Sequence, residues 1–282
     1  MHTPVLLDQV LEAIEVKNGG LYIDATFGEG GYSEAIIAKG GKVLALDLDV
    51  EQLNNPKYKN QDLWLKSLKL VEGNFGDIEK IAKDNNFYPV DGIVFDLGLS
   101  MRQISQSGRG FSFKKLIEPL DMRMSIKTET TAKYLINHLS ESELYDVFAK
   151  NSEEINSQKI AREIIIKRQF KKLETVGDLI SCIDKAVDGV DNNAYKRIFQ
   201  ALRIEVNEEF ESLKNGLSGA INIIKDDGKI AVVTFHSLED RIVKNFSKTQ
   251  GVMLLNKKPV MNKRGRSFEK TAKLRLLKRN IL

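Results

Sequence analysis

The chain reads as an α/β protein built on a parallel sheet and interrupted by a helical domain. Three observations carry that reading. Short apolar, β-branched runs alternate with helix-period patterns between Leu21 and Leu97. The alternation then breaks off, and from about Met101 to about Arg203 the pattern is mainly helical. A last β-branched run, Lys229–Phe235, brings the chain back to the sheet. Strand–helix–strand units cross over right-handedly and give parallel sheets. The helical stretch is therefore expected to be an insertion. Residues 1–100 and 204–282 would make one discontinuous α/β domain, and residues 101–203 the inserted helical domain.

Taken in order, Leu6–Ile14 is a helix that precedes the sheet and is expected to pack beside its ligand-binding end. Leu21–Phe27 is a short apolar strand running into a glycine-rich turn, and Tyr32–Lys39 is the helix after it. Lys42–Asp47 is the second strand, stopped by acidic residues. Leu63–Val71 contains a weaker third strand, Ile78–Asn85 has helical spacing, and Val90–Leu97 is a fourth strand closed by Asp-Leu-Gly. Within the insert, Ser140–Lys150, Asn156–Phe170 and Asp178–Val187 have helical spacing. One long helix, Tyr195–Ile224, is expected to lead out of it.

Composition narrows the functions. A hydrophobic share of 42% suffices for a packed core. No apolar run reaches membrane-spanning length and no leader pattern opens the chain, so a cytoplasmic protein without membrane contact is expected. Cys182 stands alone, which precludes an internal disulfide, and with only His2, His138 and His236 no metal site is expected. The net charge of +4 is modest, but it is unevenly placed. After Asp240 only Glu269 opposes Lys257, Lys258, Lys263, Arg264, Arg266, Lys270, Lys273, Arg275, Lys278 and Arg279. Such a run either neutralises nucleic-acid phosphates or is a solvated lysine-rich surface.

The strongest local signal is Asp24-Ala25-Thr26-Phe27-Gly28-Glu29-Gly30-Gly31, between a strand and a helix. A phosphate-binding Walker loop would end in Gly-Lys-Ser or Gly-Lys-Thr, whereas Tyr32 and Ser33 follow Gly31. A dinucleotide fingerprint would have a third glycine at Ser33 and an apolar residue at Asp24. Acid-x-Thr-x-Gly-x-Gly is instead similar to the first motif of the Rossmann-like methyltransferases. Their ligand has no phosphate and carries an ammonium group that an acid helps to position. Asp47, ending the second strand, is placed to accept hydrogen bonds from both ribose hydroxyls, each contributing about 1.5–3 kcal/mol when well formed. Asp49 is its rival, and either aspartate also suits a turn or a helix cap.

Phe95-Asp96-Leu97-Gly98-Leu99-Ser100 closes the fourth strand, where open α/β sheets bind ligands. The Pro-Pro-Tyr sequence of many amino-group methyltransferases is missing there. A carbon-5 cytosine enzyme is disfavoured as well, because it needs a cysteine nucleophile near this turn and Cys182 is distant in sequence. In Thr234–Arg241, Ser237 and Asp240 have capping-box spacing, which would start a helix after the last strand with Ser237 as its N-cap. His236 would then stand at the ligand edge, as a functional or simply a structural histidine.

Together these residues resemble the bacterial small-subunit ribosomal RNA (cytosine-N4) methyltransferase family, also called RsmH or MraW, over nearly the whole chain. The resemblance runs through His2–Leu7, Asp24–Gly31, Asp96-Leu97-Gly98, Arg109–Phe113, Pro119–Met124, Arg197–Ile204 and Phe235–Arg241. Tyr32 stands where that family usually has histidine, and Met101 and Ser105 replace its usual serine and aspartate. The resemblance implies a class I Rossmann-like fold whose helical insert recognises substrate. It implies methylation of cytidine N4 in the decoding region of small-subunit ribosomal RNA, with S-adenosyl-L-methionine as cofactor. It implies cofactor contacts at Gly30, Gly31, Tyr32, Asp47, Phe75, Asp96 and Gln103.

The cytosine amine is a poor nucleophile, so an acceptor near its hydrogens would assist. Asp96 or carbonyls of the turn after it are the first candidates by position, with Ser100 and His236 behind them. The target base must leave its stack to react, which favours unpaired RNA. The partner expected is small-subunit ribosomal RNA or the assembled small subunit, and a homodimer is left open. Two other classes compete. Asp24 and Ser33 argue against a nicotinamide-dependent oxidoreductase. The intact glycine loop and Asp47 argue against a non-catalytic RNA-binding protein.

Overall fold

The computed structural model describes residues 4–54, 66–262 and 269–280. The chain divides into two compact units, Met1–Gly98 with Phe210–Leu282, and Leu99–Glu209. The divisions expected from the sequence were after residues 100 and 203.

The first unit is an open α/β sheet. Its strands are β1 (Leu21–Asp24), β2 (Lys42–Asp47), β3 (Leu68–Glu72), β4 (Val90–Asp96), β5 (Ile224–Thr234), β6 (Val252–Leu254), β7 (Val260–Met261) and β8 (Lys273–Arg279). The order is β3-β2-β1-β4-β5-β8-β6, with β7 beside β8. The first five strands in that order pair in parallel, and β8 lies antiparallel to β5, β6 and β7. The order reverses between β1 and β4, and open sheets bind ligands at the carboxyl ends of strands flanking such a reversal.

Alternation explains why the strands read as continuous apolar runs. Ile23, Leu44, Leu46, Ile93 and Phe95 pack on one face with Leu213 and Leu217. Tyr22, Val43, Ala45, Val94 and Val233 pack on the other with Val10, Ile14 and Ile36. Both faces are covered, so neither parity of position is polar. Among the helices here are α1 (Leu7–Ile14), α2 (Gly31–Ala38), α3 (Val50–Leu53) and α4 (Ile78–Asp84). The segment before α1 meets the ligand edge, where Pro4 stands against Gly31, whereas Ile14 at the end of α1 lies against Gly92 near the other end of β4.

The second unit contains α5 (Met101–Gln106), α6 (Ala132–His138), α7 (Glu141–Ser152), α8 (Ser157–Arg168), α9 (Val176–Ala186) and α10 (Asn192–Asn207). Capping boxes at Ser140/Glu143 and Thr175/Asp178 start α7 and α9. Phe148, Ile160, Ile164, Leu179, Ile183, Ile198 and Leu202 form its core. Cys182 is buried there, and burial pushes its thiol up to about 11, so it is no nucleophile at neutral pH.

The expected long helix Tyr195–Ile224 is two helices, α10 and α11 (Glu209–Ile223), broken at Glu208 in a left-handed conformation (φ 49°). Long-range contacts hold the break. Asn207 accepts the Met124 N–H at 2.7 Å and donates to the Met122 carbonyl at 2.8 Å, and Arg203 grips Glu209 through two hydrogen bonds. The apolar spacing runs on through the break, which is where the chain leaves the helical unit.

The basic C-terminal run also needs correction. Arg275 is buried and bonds Asp240 of α12 (Ser237–Phe246) through Nε at 2.8 Å and an η nitrogen at 3.1 Å. Arg279 donates to the Ile221 carbonyl at the end of α11. Both knit β8 into the unit and are not offered to phosphates. Lys263, Arg264 and Arg266 lie outside the described residues. Among the described residues no helix is long and apolar enough to cross a membrane, and no cluster of side chains suits a metal.

Asp240→Ala should lower stability by about 3–5 kcal/mol, because it leaves a buried guanidinium without its counter-charge. Urea unfolding of variant and parent measures this. A loss below about 1 kcal/mol would mean that the Asn256 and Lys257 carbonyls hold Arg275 unaided.

Candidate active site

The site is built where β1 and β4 end. Asp24, fully buried at the tip of β1, accepts the Thr26 N–H at 3.3 Å, the Ser33 N–H at 3.2 Å and the Ser33 hydroxyl at 2.6 Å. The glycine loop and the start of α2 are thereby tied to the strand. Burial pushes this carboxyl up to about 6 against those hydrogen bonds. Gly30, the N-cap of α2, has φ 77°, a left-handed value that costs glycine little. Gly31 is required for another reason: a Cβ there would stand 2.3 Å from Pro4 Cγ. The Tyr32 hydroxyl donates to the Val5 carbonyl, so its buried side chain holds the N-terminal segment against the loop.

Asp47 and Asp49 are separated by what they bond. Asp49 is buried and caps α3 by accepting the Glu51 N–H. Asp47 is half-buried, and each of its oxygens accepts one backbone N–H, from Gly28 at 2.7 Å and from Asp49 at 2.8 Å. Each oxygen keeps capacity for a further donor. Desolvation pushes the Asp47 carboxyl up to about 7, with Asp49 and Asp24 adding repulsion.

Asp96 ends β4. Its N–H donates to Thr26 Oγ1 at 2.7 Å, which joins β4 to the glycine loop. Its Oδ1 is buried and has no hydrogen-bond partner among the described residues. The carboxyl is raised well above its usual range by burial first, then by the charges of Asp24 and Glu239. Phe75, in the short turn after β3, sets its ring edge-on to Phe95 at 5.7 Å and remains partly exposed.

His236 differs from the sequence expectation. It is itself the N-cap of α12: Nδ1 accepts the Glu239 N–H at 3.4 Å, and Glu239 Oε2 accepts the Phe235 and His236 N–H groups at 2.8 and 3.3 Å. Ser237 lies inside the helix, and Asp240 is engaged by Arg275. Imidazole Nδ1 reaches backbone much as an Asn side-chain oxygen does, so His-x-x-Glu works here as a capping box. That spacing was the available signal for Glu239, which sequence reasoning missed together with Thr26. His236 Nε2 is buried 3.0 Å from Glu239 Oε1, off hydrogen-bonding direction.

Of the sequence candidates, Gly30, Gly31, Tyr32, Asp47, Phe75, Asp96 and His236 belong to the α/β unit, and Ser100 and Gln103 to the helical unit. Ser100 caps α5. Its hydroxyl accepts the Gln103 N–H at 3.1 Å, and Gln103 Oε1 accepts the Ser100 N–H at 2.9 Å. The two residues thus fix the start of α5.

The model of the MraW methylase family matches residues 1–279. A ribosomal RNA small subunit methyltransferase H from Paramagnetospirillum magneticum is 41% identical over 254 residues, covering 88% of this chain and 78% of the relative. One of the same name from Dictyoglomus thermophilum is 39% identical over 265 residues, covering 90% and 86%. Among solved structures, a candidate rRNA methylase from Clostridium thermocellum aligns with TM-score 0.50 and 14% identity over 99% of this chain and 100% of that one, a likeness of fold.

Asp24 and Asp47 keep their protons to higher pH than the ordinary value of 3.8. Folding therefore takes up protons, and their contribution to stability falls as pH rises from 3.8 toward about 7. If Asp47 takes the cofactor's ribose hydroxyls, ligand affinity should run the other way, because a carboxylate accepts them best when ionised. Affinity for S-adenosylmethionine should rise about tenfold from pH ~6 to ~8, and Asp47→Asn should flatten that rise. Calorimetric titration measures both, and a flat profile in the parent protein would remove Asp47 from the ribose.

Proposed function

Because the chain belongs to the MraW methylase family, we propose that it transfers a methyl group from S-adenosylmethionine to cytidine N4 in the decoding region of small-subunit ribosomal RNA. The observation that carries this reading is Asp96, a buried carboxyl with one oxygen unpartnered at the end of the strand beside the sheet's reversal. The charges nearest it are negative, which suits a cationic ligand. S-adenosylmethionine supplies a methyl on positive sulfur, already activated for in-line transfer.

Asp47 would take the ribose hydroxyls, Gly30, Gly31 and Tyr32 the loop contacts, and Phe75 the adenine face. Gln103, in α5 of the helical unit, is a further cofactor contact that the family resemblance implies. Burial and the acidic neighbours Asp24 and Glu239 raise the Asp96 pKa well above the ordinary carboxylate value. The positive charge of S-adenosylmethionine, when bound, would favour the carboxylate form. Asp96 in that form would accept a hydrogen bond from the target amine as positive charge develops on nitrogen. Ser100 fixes the start of α5, and His236 positions α12. The substrate, free RNA or assembled subunit, is met in the cytoplasm.

Nucleoside mass spectrometry of small-subunit RNA from cells with and without the gene tests the reaction: N4-methylated cytidine should disappear with the gene. Asp96→Asn should lower the single-turnover rate at least about a hundredfold at saturating cofactor. His236→Ala should cost about 1 kcal/mol of stability through the lost cap and leave the rate per folded molecule within a few-fold. A full rate in Asp96→Asn beside a dead His236→Ala would move the acceptor role to His236.

A further inference from the structure

The end of α8 runs into a basic segment with an aromatic ring at its centre: Lys167, Arg168, Phe170, Lys171 and Lys172. Phe170 is 87% exposed, yet its backbone is ordered in a turn, its N–H donating to the Lys167 carbonyl at 3.1 Å. Hydrogen bonds tie this segment to α6. Arg168 donates to the Ile136 carbonyl at 2.9 Å, and Asn137 pairs with Leu173 backbone in both directions, at 2.8 and 3.1 Å.

Helix α6 carries a second open aromatic element. Tyr134 and His138, one turn apart, stack with centroids 4.3 Å apart and planes within 19°. Both are exposed. The charges around these rings are mostly positive. Lys133 pairs with Glu174, while Lys167 and Lys171 stand 3.8 Å from an Asp178 that already accepts hydrogen bonds from Glu174 and Thr175. Lys172 makes no ion pair among the described residues. Lys133, Lys167, Arg168, Lys171 and Lys172 therefore outnumber Glu174 and Asp178.

A surface meant for an apolar protein partner would join its exposed side chains into one patch. Here the exposed rings neighbour basic residues in the chain, Lys133 beside Tyr134 and Lys171 and Lys172 beside Phe170. Single-stranded nucleic acid is held by that combination, bases on open rings and phosphates on the cations between them. We propose that Phe170 and the Tyr134–His138 pair form a stacking platform for an unpaired stretch of the RNA substrate, with Lys171 and Lys172 meeting its phosphates. This rests on the RNA substrate proposed for the enzyme and adds a contact made by residues that take no part in cofactor binding.

The test uses the full chain and a short single-stranded oligoribonucleotide carrying a fluorescent base analogue. Phe170→Ala should weaken binding about tenfold and relieve the stacking quench, while Phe170→Trp retains both. Reversing charge at Lys171 and Lys172 should flatten the salt dependence. Affinity for S-adenosylmethionine should stay unchanged in all three. Unaltered RNA affinity and quenching in Phe170→Ala would overturn the platform. So would weaker association with assembled small subunits alongside unaltered binding of naked RNA, which would assign Phe170 to a ribosomal protein. A parent protein that stacks the oligonucleotide on Phe170 but methylates no small-subunit RNA would keep the platform and overturn the substrate reading.

Discussion

Asp24 accepts three hydrogen bonds from the loop and helix that follow it, and the geometry of the ligand edge depends on that tie. Thr26, set by Asp24, presents its hydroxyl to the Asp96 N–H and so brings the end of β4 into register with the loop. Gly28, two residues further, donates to Asp47 and draws in the end of β2. Three adjacent strands thus end on one short loop: β1 runs into it, β4 meets it through Thr26, and β2 through the Phe27 and Gly28 N–H groups. A buried carboxylate is costly unless hydrogen-bonded, and Asp24 meets that condition by organising its surroundings.

The same economy loads the edge with negative charge. Asp24 acts on both Asp47 and Asp96, Glu239 acts on Asp96, and the pKa values of the three aspartates are raised chiefly by burial. These desolvated carboxyls keep their protons to higher pH than ordinary aspartates do, and the glycine loop beside them lacks the Walker lysine that a phosphate ligand would call for.

Features written in local sequence were legible. Strand β2 has the bounds its apolar run announced, and the glycine loop lies between strand and helix as its spacing implied. Features created by distant residues were not. The break at Glu208 is held by Asn207 on Met122 and Met124, and no local pattern records that contact. The mistaken cap at Ser237 had the same origin: Asp240 looks like a capping acid until Arg275, thirty-five positions on, is seen to occupy it. The C-terminal basic run likewise looked uniform, although Arg275 is buried on Asp240 and the half-buried Arg279 is tied to the Ile221 carbonyl. In the site, the apolar run Val43–Leu46 favoured Asp47 over Asp49 from sequence, and the hydrogen bonds separate their settings: Asp49 caps α3, whereas Asp47 accepts the Gly28 and Asp49 N–H groups.

Strand β8 lies between β5 and β6, both of which precede it in the chain. During synthesis the edge of β5 must therefore wait, bare, until the residues from Lys273 onward leave the ribosome, and β6 has no strand to join before then. An uncovered edge recruits other chains. Translation that stalls short of β8 would release a polypeptide whose sheet carries an adhesive flank.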